Sequence, residues 1–211
     1  MLRLIWKDLL VQKKSWWTVA VLPMFMLIAF ANQPEAALIA GPLAVAYVLV
    51  IMACVYDEKN KTDLLWCSLP ISRKTIIGAK YLAALTFILL GILVVTVYGF
   101  IIKFFGIPLP IEVISLEDIF GIIMATSLFV ALFFPLYFKF GYAKTRYFGI
   151  LVYVLLFMAP QILKEGLEDN AELAALVQKI TSGLSGAVIA LFLLGISYFV
   201  SVGIYQQKDL T

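Results

Sequence analysis

The sequence predicts an all-α protein that crosses a membrane several times. Of its 211 residues, 64% are hydrophobic and only 14% are charged, whereas soluble domains have about 45–50% apolar and about 25% charged residues. The apolar residues also form long runs, and six of these runs approach the roughly 20 residues that a spanning helix needs. A soluble domain of this length could not bury so much apolar surface. The bilayer is therefore the expected environment.

The six predicted spans belong to one membrane domain, residues 1–211. They cover residues 17–31, 37–56, 81–102, 119–138, 148–162 and 183–205. The first and fifth runs are short, so they need a turn from flanking residues or a tilted position among neighbouring helices. Three segments connect or precede the spans: an N-terminal helix at 1–16, a cytoplasmic loop at 57–80 and an outer loop at 163–182.

The distribution of basic residues predicts the orientation of the spans in the membrane. With a cytoplasmic N-terminus, four of the 16 Lys and Arg residues precede the first span, five lie in the 57–80 loop, three lie between residues 139 and 146, and one lies near the C-terminus. Short cytoplasmic loops carry this excess of positive charge. Both termini are therefore predicted to be cytoplasmic, and the net charge of +3 reflects topology instead of a nucleic-acid surface.

Two segments outside the spans have the pattern of amphipathic helices. In the N-terminal helix the apolar side chains share one face: Leu2, Ile5, Trp6 and Leu9. Its basic residues Arg3, Lys7 and Lys14 lie on the opposite face. This pattern predicts a helix on the cytoplasmic leaflet, acting as an anchor or as a docking element. Residues 173–180 predict a second short helix on the outer side.

The cytoplasmic loop 57–80 predicts a further short helix. Thr62 or Asp63 can cap its start and Pro70 ends it, while Ser72 can cap the start of the third span. The apolar side chains of the short helix would lie at the membrane surface: Leu64, Leu65, Trp66 and Leu69. The residues alone leave two interpretations open, an interfacial elbow with a membrane-surface Trp and a protein-binding elbow.

The sequence lacks the residues that most kinds of catalytic site need. There is no histidine, which excludes His-based acid–base pairs and Ser-His triads, and two cysteines cannot form a zinc site. No GxxxxGK followed by Ser or Thr occurs, so the chain has no phosphate-binding loop. Lys103 is the one ionisable residue expected at the edge of an apolar run. We expect no enzymatic activity, no metal and no cofactor, and any uphill transport would need another polypeptide.

Four short motifs resemble the permease subunits of bacterial type-two ABC exporters. They are an LxxKD pattern with following basic residues at 4–14, DEK at 57–59, SLPISR at 68–73 followed by AKYL at 79–82, and PLYFKFG at 135–141 followed by Lys144 and Arg146. The resemblance extends over the whole chain. It is greatest to the small six-span permeases that export amphipathic peptide toxins, of the phenol-soluble modulin exporter type, or that confer resistance to peptide antibiotics.

This resemblance implies a coupling helix around residues 64–73, seated in a groove of a separate ATPase subunit, with the N-terminal helix as a connecting helix beside it. The implied ATPase contacts are Lys7, Asp8, Asp63, Leu64, Leu65, Trp66, Leu69 and Arg73. A secondary cytoplasmic loop would carry Lys139, Lys144 and Arg146. Family membership also implies two ATPases and a second permease copy, identical or paralogous, in the bacterial plasma membrane.

The leading hypothesis is a permease that exports amphipathic or hydrophobic peptides from the cytoplasm or the inner leaflet. Its spans offer no fixed charge to an ionic solute, and their Ser and Thr residues are expected to bond their own backbone or a neighbouring helix. The alternative is a non-transporting membrane scaffold or immunity protein that binds a partner. A passive channel is disfavoured, because no span has a polar stripe for a water column.

Overall fold

The computed structural model describes residues 2–30, 34–62, 65–66, 71–106, 114–167 and 183–207. Within these ranges every regular element is helical, in agreement with the predicted all-α class. The α-helices are α1 Leu2–Val11, α2 Trp16–Ala29, α3 Pro34–Lys59, α4 Arg73–Phe104, α5 Leu116–Phe140, α6 Tyr142–Leu167 and α7 Gly183–Gln206. A 3₁₀ turn, Gln12–Lys14, joins α1 to α2.

Four of these helices are long and apolar enough to cross a membrane: α3, α4, α5 and α7. The apolar helix α2 has only 14 residues, and α6 has 26 residues. The predicted all-helical membrane fold is thus confirmed in its class, while the count of six spans stays a prediction. The predicted outer helix at 173–180 lies outside the described residues.

Helix α3 is the centre of the bundle. It contacts α2, α4, α5 and α6. In its most apolar 18-residue segment, 72% of the residues are buried inside the protein, whereas the corresponding share is 28% to 39% in the other candidate spans. The most extensive helix pair is α5 with α7. Aromatic side chains fill the interior along α5: Phe129, Phe133, Phe134, Tyr137 and Phe138. The peripheral helices consequently expose much of their apolar surface.

Helices α3 and α4 approach closely where Gly91 faces Pro42. A Cβ on Gly91 would lie 2.8 Å from the Pro42 carbonyl oxygen, so the contact requires glycine. Small residues let helix backbones pack closely in membranes. The same two helices meet again at Asp57 and Lys80, about three turns away along α4. The two contacts together fix the register of α4 against α3.

Residues 2–29 run along α4 in the same direction as α4 itself. Asp8 pairs with Lys80 near the start of α4, and the Tyr98 hydroxyl, near its end, donates a hydrogen bond of 2.7 Å to the Ala20 carbonyl. Asp8 of α1 and Gln12 of the adjoining 3₁₀ turn are both buried against the bundle. The predicted position of α1 on the cytoplasmic leaflet stays a prediction.

The apolar face that the sequence predicts for α1 is partly packed and partly exposed. Ile5 and Leu9 pack against the core, whereas Trp6 is 63% exposed. A helix on the leaflet surface would present such an indole to lipid, so the predicted interfacial position is not contradicted. On the other face, Lys7 pairs with Asp57 of α3, an ion pair that the pattern of α1 alone did not predict.

Several hydroxyl groups within the candidate spans are hydrogen-bonded, whereas the buried hydroxyl of Ser127 in α5 has no partner among the described residues. Thr86 donates to the Ala83 carbonyl and Thr96 to the Ile92 carbonyl, each on its own helix. Thr126 does the same in α5. These three contacts confirm the prediction that such groups bond their own backbone. Another set joins helices: the Tyr81 hydroxyl lies 2.7 Å from Ser197 Oγ and 2.8 Å from Ser201 Oγ, which connects α4 to α7.

Candidate functional site

One end of the bundle gathers most of the buried charge, and we call it the polar end. It contains the end of α3, the first turns of α4, the start of α6, the end of α7 and the Lys7–Asp8 pair of α1. Four ion pairs are described there, and three of them join side chains from different helices. In the described ranges no group of acidic or cysteine side chains could hold a metal ion.

The ion cluster of the polar end consists of two cations and two anions from three helices: Lys7 and Asp8 of α1, Asp57 of α3 and Lys80 of α4. The Lys7 amine lies 2.7 Å from an Asp8 oxygen and 2.8 Å from an Asp57 oxygen. The Lys80 amine lies 3.1 Å from the other Asp8 oxygen and also pairs with Asp57. Each charge therefore has two opposite neighbours, and the cluster as a whole is neutral.

Burial makes this cluster energetically important. Asp8 is 3% exposed, and Asp57 and Lys80 are 7% exposed. Moving such charges out of water carries a penalty of several kcal/mol per ion, which is recovered only where the geometry is good and every charge is paired. The alternating arrangement meets that condition. Removal of any one member would leave a buried charge without compensation.

The sequence contained a signal for Lys80 that the analysis of motifs missed. Lys80 lies on the buried stripe of α4, three residues after Ile77 and four before Ala84, so its side chain must face the bundle. Asp57 likewise follows directly on the apolar run that forms α3. A lysine on a buried helical stripe needs an anion inside the same bundle. This signal could have paired Lys80 with an acid at the end of the preceding span.

Glu58 holds the start of α6. Its carboxylate accepts a hydrogen bond from the backbone N–H of Tyr142 and another, of 3.2 Å, from that of Ala143. Both donors belong to the first turn of α6, where N–H groups lack partners within the helix and where a negative charge is favoured by the helix dipole. Gly141, at φ +78°, makes the sharp link from α5 to α6.

Arg73 holds the end of α7. Its guanidinium donates hydrogen bonds of 3.0 Å and 2.9 Å to the backbone carbonyls of Tyr205 and Gln206. A cation at a helix C-terminus satisfies unpaired carbonyls and complements the dipole. Ser72 caps the start of α4 by accepting a hydrogen bond from the Thr75 N–H, which confirms the predicted cap.

Trp66 connects the 57–80 loop to α1. The Lys7 amine lies over its indole ring, 5.2 Å from the centroid, within the distance of a cation–π contact. Its neighbour Leu65 is 59% exposed. The structure thus brings together Lys7, Asp8 and Trp66 from the predicted ATPase contacts. Three other members of that set, Asp63, Leu64 and Leu69, lie outside the described residues.

The basic residues of the secondary loop stand apart from the ion cluster. They are exposed at the α5–α6 junction of the polar end: Lys139, Lys144 and Arg146. Lys139 lies over the Phe140 ring and Arg146 over the Tyr147 ring. Their charges therefore remain at the surface, on the same end of the bundle as Arg73 and Trp66.

A family model described as ABC-2 family transporter protein matches residues 3–206, nearly the full chain. The chain belongs to the ABC-2 transporter family. It is thus the permease subunit of an ABC transporter, a membrane component that works with an ABC ATPase and is not itself the catalytic subunit. No curated protein and no solved structure matches the chain. The family match does not test the resemblance to peptide exporters, which stays a prediction.

The ion cluster generates a prediction about stability. Lys80→Met should lower the free energy of unfolding by about 3–5 kcal/mol, because one aspartate loses its compensation in a buried site. The double variant Lys80→Met with Asp57→Asn keeps the Lys7–Asp8 pair and a neutral site, so it should recover part of this loss. Unfolding by SDS titration, followed by circular dichroism, measures both effects.

Lys74→Met is the matched control, since Lys74 is an exposed lysine on the same helix. It should unfold like the unsubstituted protein. If the double variant were no more stable than Lys80→Met alone, the cluster would not act through its charge balance.

Proposed function

We propose that this ABC-2 permease crosses the membrane six times with both termini in the cytoplasm, and that its polar end is the cytoplasmic surface on which the ATPase docks. The distribution of basic residues supports the orientation, since thirteen of the 16 fall on that side. The helices α2 and α6 supply the first and fifth spans in this proposal. The 14 residues of α2 extend about 21 Å, less than the hydrocarbon core of about 30 Å, so the proposal requires local thinning of the bilayer or shielding by neighbouring helices.

The observation that carries the docking proposal is the contact between Trp66 and Lys7. Trp66 belongs to the loop that resembles a coupling helix, and Lys7 belongs to the ion cluster. Because the cluster joins α1 to α3 and α4, a displacement of the loop would act on three helices at once. This is the mechanical link that an ATP-driven permease needs between its ATPase and its spans.

The proposed contact residues fall into two groups by their surroundings. Leu65 offers an exposed apolar side chain to the ATPase, and Asp63, Leu64 and Leu69 stay proposed contacts on the basis of the sequence. Lys7, Asp8 and Arg73 bond within the chain, so we assign them mainly to positioning the docking surface. The exposed cations of the secondary loop, Lys139, Lys144 and Arg146, would add a second basic contact.

For the cargo we propose amphipathic or hydrophobic peptides, released on the outer side. The support is the charge balance of the bundle: within the described spans, the buried charges at the polar end neutralise one another. A charged solute would find no fixed counter-charge there, whereas an apolar surface binds by area, at about 25 cal/mol per Å². A second permease copy, identical or paralogous, would cover exposed apolar helix faces and complete the path.

The orientation can be tested with Cys67. An impermeant thiol reagent should label it only after the cells are opened, because the proposal places the 57–80 loop in the cytoplasm. Cys54 is buried, so labelling reports on Cys67, and Cys67→Ser should abolish it. Ready labelling in intact cells would reverse the orientation.

Docking can be tested with Leu65→Asp and Trp66→Ala. Loss of a hot-spot contact weakens an interface by about 2 kcal/mol or more, roughly a thirtyfold rise in Kd, so each variant should lose co-purification with the ATPase while its membrane insertion is unchanged. Phe105→Ala, at the opposite end of α4 and 70% exposed, should bind the ATPase normally. If both loop variants bound the ATPase with an unchanged Kd, the loop would be an interfacial elbow without a docking role.

The cargo can be tested after reconstitution with the ATPase in vesicles. Several unrelated amphipathic helical peptides should stimulate ATP hydrolysis, and small hydrophilic solutes should have little effect, because an apolar path recognises area instead of paired charges. The Leu65→Asp variant should show no stimulation. A response confined to a charged sugar or polyol phosphate would reject the peptide cargo, and binding of the ATPase without any transport would favour the scaffold alternative.

A further inference from the structure

A lateral groove of about 650 Å³ lies between α1, the start of α2 and α4. Its lining is almost entirely apolar: Trp6, Leu9, Leu10, Trp16, Leu89, Leu90 and Leu93, with Thr86 and Lys13 as the polar members. The Thr86 hydroxyl already donates to the Ala83 carbonyl. Lys13 is therefore the group that gives this groove its polar character.

Among the described residues, Lys13 lines this apolar groove without forming an ion pair. The described ion pairs all belong to the Lys7–Asp8–Asp57–Lys80 cluster, and Lys13 itself is exposed. An ammonium group beside a lipid-facing apolar surface needs a counter-charge or water to be stable. The chemistry complementary to this groove is consequently one anionic group attached to a long apolar chain.

We propose that the groove binds one anionic phospholipid, with its phosphate at Lys13 and an acyl chain along Leu89 and Leu93. Basic pockets at the cytoplasmic side of membrane helices bind anionic headgroups, and the two indoles that border the groove are typical of the headgroup level. This inference rests on the proposed orientation, with the polar end in the cytoplasm, but not on the cargo or on ATPase docking.

The size of the groove favours a lipid chain over a helical peptide. Its volume lies within the roughly 300–1,000 Å³ of small-molecule sites. A helix with side chains is about 10 Å across, so a helical peptide would fill this volume with less than two turns. A peptide of several turns would have to leave most of its length outside the groove. A single acyl chain would not have to extend outside the groove in this way.

Tryptophan fluorescence provides a direct test, because Trp6 and Trp16 both line the groove. In a Trp17→Phe, Trp66→Phe background, emission comes from these two indoles alone. The purified full chain in nonionic detergent micelles is titrated with phosphatidylglycerol or phosphatidylcholine that carries brominated acyl chains. The anionic lipid should bind about fivefold more tightly than the zwitterionic lipid, the ratio expected for one lysine at the headgroup.

Two pairs of variants identify the groove as the site. Lys13→Gln should reduce the preference to about one, whereas Arg3→Gln, which removes an exposed charge of α1 outside the groove, should keep it. Leu89→Phe with Leu93→Phe should weaken quenching by both lipids by filling the groove. Leu151→Phe with Leu155→Phe is the control on α6, with the same spacing and exposed leucines, and should leave quenching unchanged.

Three results would overturn the proposal. Equal quenching by the two lipids would show ordinary lipid contact without a headgroup site. Equal effects of Lys13→Gln and Arg3→Gln would show a general response to surface charge. If an unbrominated amphipathic peptide restored the emission and unbrominated phosphatidylglycerol did not, the groove would belong to a peptide.

Discussion

Two lysines and two aspartates set the arrangement of helices at the polar end. The four side chains come from α1, α3 and α4, and each charge touches two of opposite sign. A shift of one helix by a single turn, about 5.4 Å, would separate these atoms beyond the range of an ion pair. Apolar packing alone is less demanding, because one leucine contact can replace another. The cluster therefore specifies the register that the surrounding apolar surfaces would leave loosely defined.

The charges beside the cluster extend the same principle to the remaining helices. Glu58 binds the free N–H groups at the start of α6, and Arg73 binds carbonyls at the end of α7. A helix end near a membrane needs such partners, since unpaired backbone groups are costly away from water. In each case the partner comes from another helix, so satisfying the backbone also ties helices together. The polar end is held together mainly by directional contacts, whereas the rest of the bundle relies mainly on apolar packing with a few hydrogen bonds between helices, such as that from Tyr98 to the Ala20 carbonyl.

Composition and apolar runs predicted the helical class and the four candidate spans that the structure shows, because long apolar helices have few alternatives in a bilayer. The Ser72 cap and the self-bonded threonines followed from local chemistry in the same way. The ion cluster was missed because it depends on three segments far apart in sequence, and no local pattern pairs Lys80 with Asp8. The pairing of Lys7 with Asp57 was missed for the same reason. An amphipathic pattern orders the faces of one helix by hydropathy and contains no information on ionic partners that lie on other helices.

Helix α1 is where the structural and functional inferences meet. The helix is fixed to α4 through Asp8, the adjoining 3₁₀ turn is fixed to α3 through Gln12, and Trp6 and Leu10 of the helix line the lateral groove. With Trp66 resting on Lys7, the proposed docking loop acts on α1 at the point where α1 is most firmly held. Force applied there would move α1 together with the end of α3 and the start of α4 as one unit. At the far end of α4, no described ion pair restrains the helix, so a displacement can appear there as a change in apolar packing. This division would suit the proposed export of apolar cargo: a rigid end would receive the force, and an adaptable apolar end would respond.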